Sequence, residues 1–167
     1  MRRIALVAGL LALAFPASAA ARDVDLPELF ADQIADLKAA SDIPILLPQK
    51  LLRSDFDRHV PDVSLGRRDW TLMIGAVEDC EGANACFVAE FRARRGGRPL
   101  GERRVRLRGG RTGRFTPLSC GASCAPPSLE WRQGGVVSTI AARVGTQRTE
   151  RGLLVHMANS AIRNGPR

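Results

Sequence analysis

From Trp70 to Val144 the chain alternates apolar and polar residues with a period of two. Trp70, Leu72, Ile74 and Ala76 alternate with Thr71, Met73 and Gly75. Phe87, Ala89, Phe91 and Ala93 alternate with Val88, Glu90, Arg92 and Arg94. Arg103, Val105 and Leu107 alternate with Glu102, Arg104, Arg106 and Arg108. Successive side chains of a strand point to opposite faces, so this pattern predicts strands with one face buried. The runs are separated by turn signals at Gly96-Gly97-Arg98-Pro99 and Gly109-Gly110-Arg111-Thr112-Gly113. Gly134-Gly135, between Ser128–Gln133 and Val136–Val144, is the two-residue loop that a primed hairpin turn prefers.

Helical patterns flank this region. Asp25-Leu26-Pro27-Glu28 combines a capping Asp, an early Pro and a Glu three residues on. Leu29, Phe30, Ile34 and Leu37 follow at helical spacing, with Asp32 and Asp36 on the other side and Ser41-Asp42 as the stop. Ile43–Pro48 is apolar but bracketed by prolines, so it is either a short edge strand or an extended packing segment. Residues 53–69 are polar, contain Pro61 and Gly66, and read as a loop. Thr149–Arg163 carries Leu153, Leu154, Met157, Ala158, Ala161 and Ile162 on one stripe, ended by Asn164-Gly165-Pro166. The expected fold is α+β: an antiparallel meander of about five strands, with N- and C-terminal helices packed on one face.

Residues 1–19 read as a cleaved signal peptide. Arg2 and Arg3 form a basic start, Ile4–Phe15 is apolar but shorter than the roughly 20 residues of a spanning helix, and Ala17-Ser18-Ala19 supplies small residues for cleavage. Ala19-Ala20-Ala21 offers an equivalent cut. The twin-arginine and lipoprotein patterns are missing. Residues 20–167 are then expected to be a single globular domain with no transmembrane segment, matured in the periplasm or outside the cell.

Four cysteines, Cys80, Cys86, Cys120 and Cys124, lie in that mature part. An even count in an exported chain reads as two disulfides with three connectivities. The local pairs Cys80–Cys86 and Cys120–Cys124 are favoured: the first clamps Glu81–Ala85 between two apolar runs, the second closes Gly121-Ala122-Ser123 ahead of Pro126-Pro127. Cys-x3-Cys matches neither a thioredoxin-like redox motif nor the tight knuckles of a zinc ribbon.

Charge is unevenly distributed. The whole chain carries 25 basic and 17 acidic residues, for a net +8. Residues 20–90 contribute −7 and residues 91–167 contribute +13, with ten arginines between Arg92 and Arg114 against the single acid Glu102. Arg92, Arg94, Arg104, Arg106 and Arg108 form a candidate anion-binding face, since arginine is the better fork for phosphate and carboxylate. A hairpin turning at Gly96-Gly97 would instead pair Glu90 with Arg104 and Arg92 with Glu102, giving a self-neutralised surface. Only two lysines accompany 23 arginines, which is a chain-wide preference rather than a local one. With no tyrosine and only Phe115 after the cluster, the stacking groups expected of a nucleic-acid reader are missing. The expected partner is an anionic envelope component (lipid head group, lipopolysaccharide or acidic glycan) or an envelope protein, and not nucleic acid.

Catalytic patterns are sparse. His59 lies beside Asp55, Asp57 and Asp62, and His156 is on the last helix. His59 with Asp55 and Asp57 is a conceivable metal set without fixed geometry, and no metal or cofactor is expected. Gly121-Ala122-Ser123-Cys124-Ala125 echoes a nucleophile elbow, but two prolines follow where a helix is needed.

Leu129–Ile140, with Trp131 before Gly134-Gly135, followed by Leu153-Leu154 and Met157-Ala158-Asn159-Ser160-Ala161-Ile162, is similar to the end of a family of uncharacterised exported bacterial domains. There a Trp-bearing hairpin precedes a closing helix. The resemblance covers about 35 residues and departs at Ser138, where the family has an aromatic. It implies an extracytoplasmic binding or structural module and transfers no catalytic residue. The expected function is therefore non-enzymatic binding or a structural role. The alternatives are a lysozyme-inhibitor-like modulator of an envelope hydrolase acting through Ser119–Ser123, and a hydrolase using His59 or His156.

Overall fold

The computed structural model describes residues 21–80 and 83–167. The expected signal peptide, residues 1–19, lies outside the described residues. The chain opens with β1 (Arg22–Asp25), α1 (Leu26–Leu29) and α2 (Ala31–Ala40). The capping Asp25 accepts a hydrogen bond from Glu28 N at 3.2 Å, as its position before Pro27 requires. Phe30 breaks the helical run in two. Ile43–Leu47 follows as an extended packing segment without strand structure, buried through Ile43, Ile45, Leu46 and Leu47.

The strands continue as β2 (Lys50–Ser54), β3 (Val60–Leu65), β4 (Asp69–Gly75), β5 (Phe87–Arg95), β6 (Arg103–Arg106), β7 (Thr112–Thr116), β8 (Ser119–Cys120), β9 (Cys124–Ala125), β10 (Ser128–Gln133) and β11 (Val136–Ala142). The helix α3 (Glu150–Asn164) closes the chain. Seven strands form one antiparallel sheet in the order β3-β4-β5-β11-β10-β7-β6, with two small ribbons, β1-β2 and β8-β9, beside it. The expectation of five strands thus falls short by two. Within 53–69, read as a loop, the chain forms the end of β2 and all of β3. β3 is an edge strand, which tolerates the Pro61 and the polar residues that hid it.

The simple meander is also overturned. β5 does not turn back on β6 at Gly96-Gly97; its neighbour is β11, in register from Val136↔Arg95 to Ala142↔Ala89. A central strand has to bury side chains. β11 supplies buried Val136, Val137, Ile140 and Ala142, whereas β6 is Arg-Arg-Val-Arg and is excluded to the edge, where charges also deter edge-to-edge pairing. Gly96–Glu102 therefore crosses β11, β10 and β7 to reach β6 at the far edge of the sheet. The hairpin at Gly134-Gly135 forms as expected, with both glycines at positive φ, 57° and 80°.

One face of the sheet is apolar. Val63, Leu72, Phe91, Ile140, Leu129 and Phe115 lie in one cross-strand row. They join Phe30, between α1 and α2, and Leu37, Leu154, Met157 and Ala161 of the helices in one hydrophobic cluster. Phe30 meets Phe91 edge-on with ring centroids 6.2 Å apart. The C-terminus is tied back to the extended segment through Arg167 N, which donates to Ile45 O at 3.2 Å. Among the described residues no helix is long and apolar enough to cross a membrane.

Candidate anion-binding face

The other face of the sheet is polar, and its rows follow from the strand register. One row runs Arg104–Arg114–Glu130–Thr139–Arg92–Thr71–Ser64. In the adjacent row Val137 lies between Arg132 and Arg94, which itself faces Asp69. In the row on the other side Glu90 faces Ala141 and Met73. The anticipated Glu90–Arg104 and Arg92–Glu102 pairs do not form, because β11, β10 and β7 separate β5 from β6.

The arginines divide into two groups. Arg92 and Arg94, on central β5, are neutralised: Arg92 lies 3.8 Å from Glu90 and Arg94 lies 3.4 Å from Glu130. Arg104, Arg106, Arg114 and Arg132, on β6, β7 and β10, make no ion pair among the described residues. Arg104 stands directly opposite Arg114 in register, a like-charge neighbour that the sheet tolerates at a cost in stability. Arg108 lies beyond the end of β6, outside the sheet rows. It starts the turn after β6, and its amide donates to Asn159 Oδ1 of α3 at 2.7 Å.

The crossing segment borders the cluster and fixes its geometry. Arg94 Nη2 donates to Arg98 O at 3.0 Å, and Leu100 N donates to Glu130 Oε2 at 2.8 Å. The segment thus bridges from β5 to β10 and passes over β11, where Val137 is fully buried. Gly101, at φ 137°, lies so close to β7 that a Cβ there would meet the Arg114 backbone at 3.0 Å. Glu130 is 9% exposed, and its three donors, Leu100 N, Thr139 Oγ1 and Arg94 Nη2, leave it little capacity to neutralise Arg114 beside it. The structure thus adds Arg114 and Arg132 to the sequence candidates. The sequence signal for both was their alternation with buried neighbours, Gly113 and Phe115 for one and Trp131 for the other.

Both favoured disulfides are present, Cys80–Cys86 and Cys120–Cys124, with Cα separations of 5.7 and 4.0 Å. The second bridges the paired residues of the β8-β9 ribbon, so that Ser119–Ser123 is a short, exposed, covalently closed tip. Ser123 sits in that tip with no helix after it, unlike a nucleophile elbow.

The histidines are apart from the arginine cluster. His59 Nε2 is 2.7 Å from Ser54 Oγ. Burial, with a further contribution from the Arg22 charge, holds its pKa below the ordinary value. His156 lines a small cavity of about 230 Å³ with Lys50, Met157 and Arg163. Among the described residues no group of three His, Cys, Asp or Glu side chains is placed to hold a metal ion.

Comparison of the chain with protein-family models, with curated proteins and with solved structures finds no match in any of the three.

Proposed function

We propose that this chain is an exported, non-enzymatic binding protein that uses Arg104, Arg106, Arg114 and Arg132 to hold a phosphate-bearing component of the bacterial envelope, foremost the head groups of anionic lipids. The observation that carries this reading is the division of the polar face: Glu90 and Glu130 are matched to Arg92 and Arg94, while the four outer arginines have no acid partner among the described residues. A solvated structural surface gains nothing from Arg104 placed opposite Arg114, whereas a site for several phosphates requires closely spaced guanidinium forks. The export leader read at residues 1–19 and the two disulfides agree with an envelope location.

Binding to vesicles of mixed neutral and anionic phospholipid tests it. Each arginine near an anionic surface contributes about 1 kcal/mol, so replacing all four by Gln should abolish retention, and raised salt should weaken it. Equal binding of wild type and the fourfold variant, or no dependence on salt, would refute the reading.

A second reading rests on the exposed, disulfide-closed Ser119–Ser123 tip, a rigid element suited to insertion into an enzyme cleft. Inhibition of a muramidase by the purified protein, lost on replacing Ala122 by Glu, supports this reading. Unaltered muramidase activity removes it.

A further inference from the structure

On the helix-covered side, two clefts meet beneath the start of α3. The first, of about 450 Å³, is lined by Arg103 of β6, by Arg148 in the turn before α3 and by Arg151 in its first turn, around Phe115, Pro117 and Leu118. The second, of about 420 Å³, places Leu118 with Phe56, Pro127 and Val144; Asp55 and Arg143 also line it. Leu118, Gln147 and Glu150 line both, so the two form one groove. Its two parts differ in chemistry. Three exposed guanidinium groups gather in the first and make no ion pair among the described residues. The second is mainly apolar. Arg143, its one cation, donates to Asn84 O.

The acid at the junction does not neutralise the arginines. Glu150 is 4% exposed, and its Oε1 accepts from Leu118 N at 3.3 Å. That bond ties the first turn of α3 to the segment after β7 and holds the shared wall in place. The result is a concave site with a cationic mouth leading to an apolar chamber, each part within the size range of small-molecule sites.

We infer that this groove binds a single-chain amphiphile, its anionic head group on Arg103, Arg148 and Arg151 and its apolar chain over Leu118 against Phe56, Pro127 and Val144. Charge complementarity selects the head group, and burial of the chain supplies the rest of the affinity. The site is separate from the four-arginine face, which lies on the opposite side of the sheet, so either proposal can fail without the other.

The test is calorimetric titration of the full mature chain with dodecanoate and with dodecyl phosphate, below their micelle concentrations. Dodecyl maltoside serves as the neutral chain and inorganic phosphate as the bare head group. One-to-one binding of both anionic amphiphiles is expected, with no binding of the maltoside and at most weak binding of phosphate. Arg148→Glu/Arg151→Glu should weaken dodecanoate binding by about tenfold or more. Both positions are exposed, and unchanged circular dichroism confirms folding. Arg67→Glu, exposed between β3 and β4 and outside both arginine sites, should leave it unaltered. The inference is overturned by absence of saturable dodecanoate binding, by equal affinity for the maltoside, by phosphate binding as tightly as dodecyl phosphate, or by an unchanged affinity in Arg148→Glu/Arg151→Glu.

Discussion

Arg94 of β5 reaches across β11 to Glu130 of β10, placing Nη2 3.4 Å from Oε2. The same guanidinium holds Arg98 O, and the same carboxylate holds Leu100 N, so this pair anchors the segment that carries the chain from the centre of the sheet to its edge. Replacing Glu130 by Ala leaves the half-buried Arg94 without its counter-charge and the Leu100 amide without its acceptor. A loss of about 1–3 kcal/mol is expected, read as a lower urea midpoint, with faster amide exchange at Leu100. An unchanged midpoint would show that the crossing segment is held by other contacts.

Arg104 faces Arg114 across β6 and β7. Arg104→Glu turns a like-charge pair into an attractive one and should stabilise the fold by about 0.2–1 kcal/mol, while reducing retention on anionic vesicles. Thermal unfolding and vesicle sedimentation on the same variant check both halves. Loss of stability would mean that the two guanidinium groups do not repel.

Gly113 lies opposite Trp131 in the sheet, and a Cβ there would approach Leu129, Leu107 and Val105 to 2.9, 3.0 and 3.1 Å. Gly113→Ala should therefore overpack the core, at a cost of about 1–3 kcal/mol, visible as a reduced melting temperature. Gly134→Ala, whose Cβ meets nothing within 4 Å, is the comparison for loss of positive φ alone.

The two disulfides differ in access. Cys80 is 6% exposed, whereas Cys120 is exposed on the β8-β9 tip. Under mild reductant, Cys120 and Cys124 should be alkylated first, as mass spectrometry of the digested protein would show. Each bond closes a short loop and should contribute about 2 kcal/mol through unfolded-state entropy. Simultaneous labelling of all four sulfurs would contradict the order.

His59 has a folded-state pKa below the ordinary 6.5 of the unfolded chain, through burial first and the Arg22 charge second. The unfolded state therefore binds the proton more readily. The contribution of neutral His59 is complete above about pH 6.5 and declines as pH falls through that value towards the lower folded pKa. Urea midpoints measured between pH 7.5 and pH 5 should fall less steeply for His59→Gln than for wild type. Parallel slopes would exclude His59 as the titrating group.

Local signals carried much of the fold. The Asp25-x-x-Glu28 cap, the Gly134-Gly135 hairpin, the stripe from Leu153 to Ile162 and both disulfide pairs depend on residues close in sequence, and each was readable there. β3 was not. As an edge strand with Pro61 it obeys weaker rules than a central one. The arginine site was half legible. Alternation places Arg104 and Arg106 on one face, but the nearest turn pairs β5 with β6, and that pairing cancels the charge of Arg104 that the folded sheet leaves unpaired among the described residues.

By itself, the sequence determined the strands with clear alternation, the Gly134-Gly135 turn, which cysteines join and which stretches are cationic, because short-range propensity and loop closure decide these. Only the tertiary structure decided the strand order. Apolar β11 displaced Arg-rich β6 from the side of β5 because a central strand loses more solvent than an edge strand, and burying guanidinium groups costs more than a seven-residue crossing of the sheet. That choice, made between segments some forty residues apart, set the outer arginines together and left them without an acid partner among the described residues.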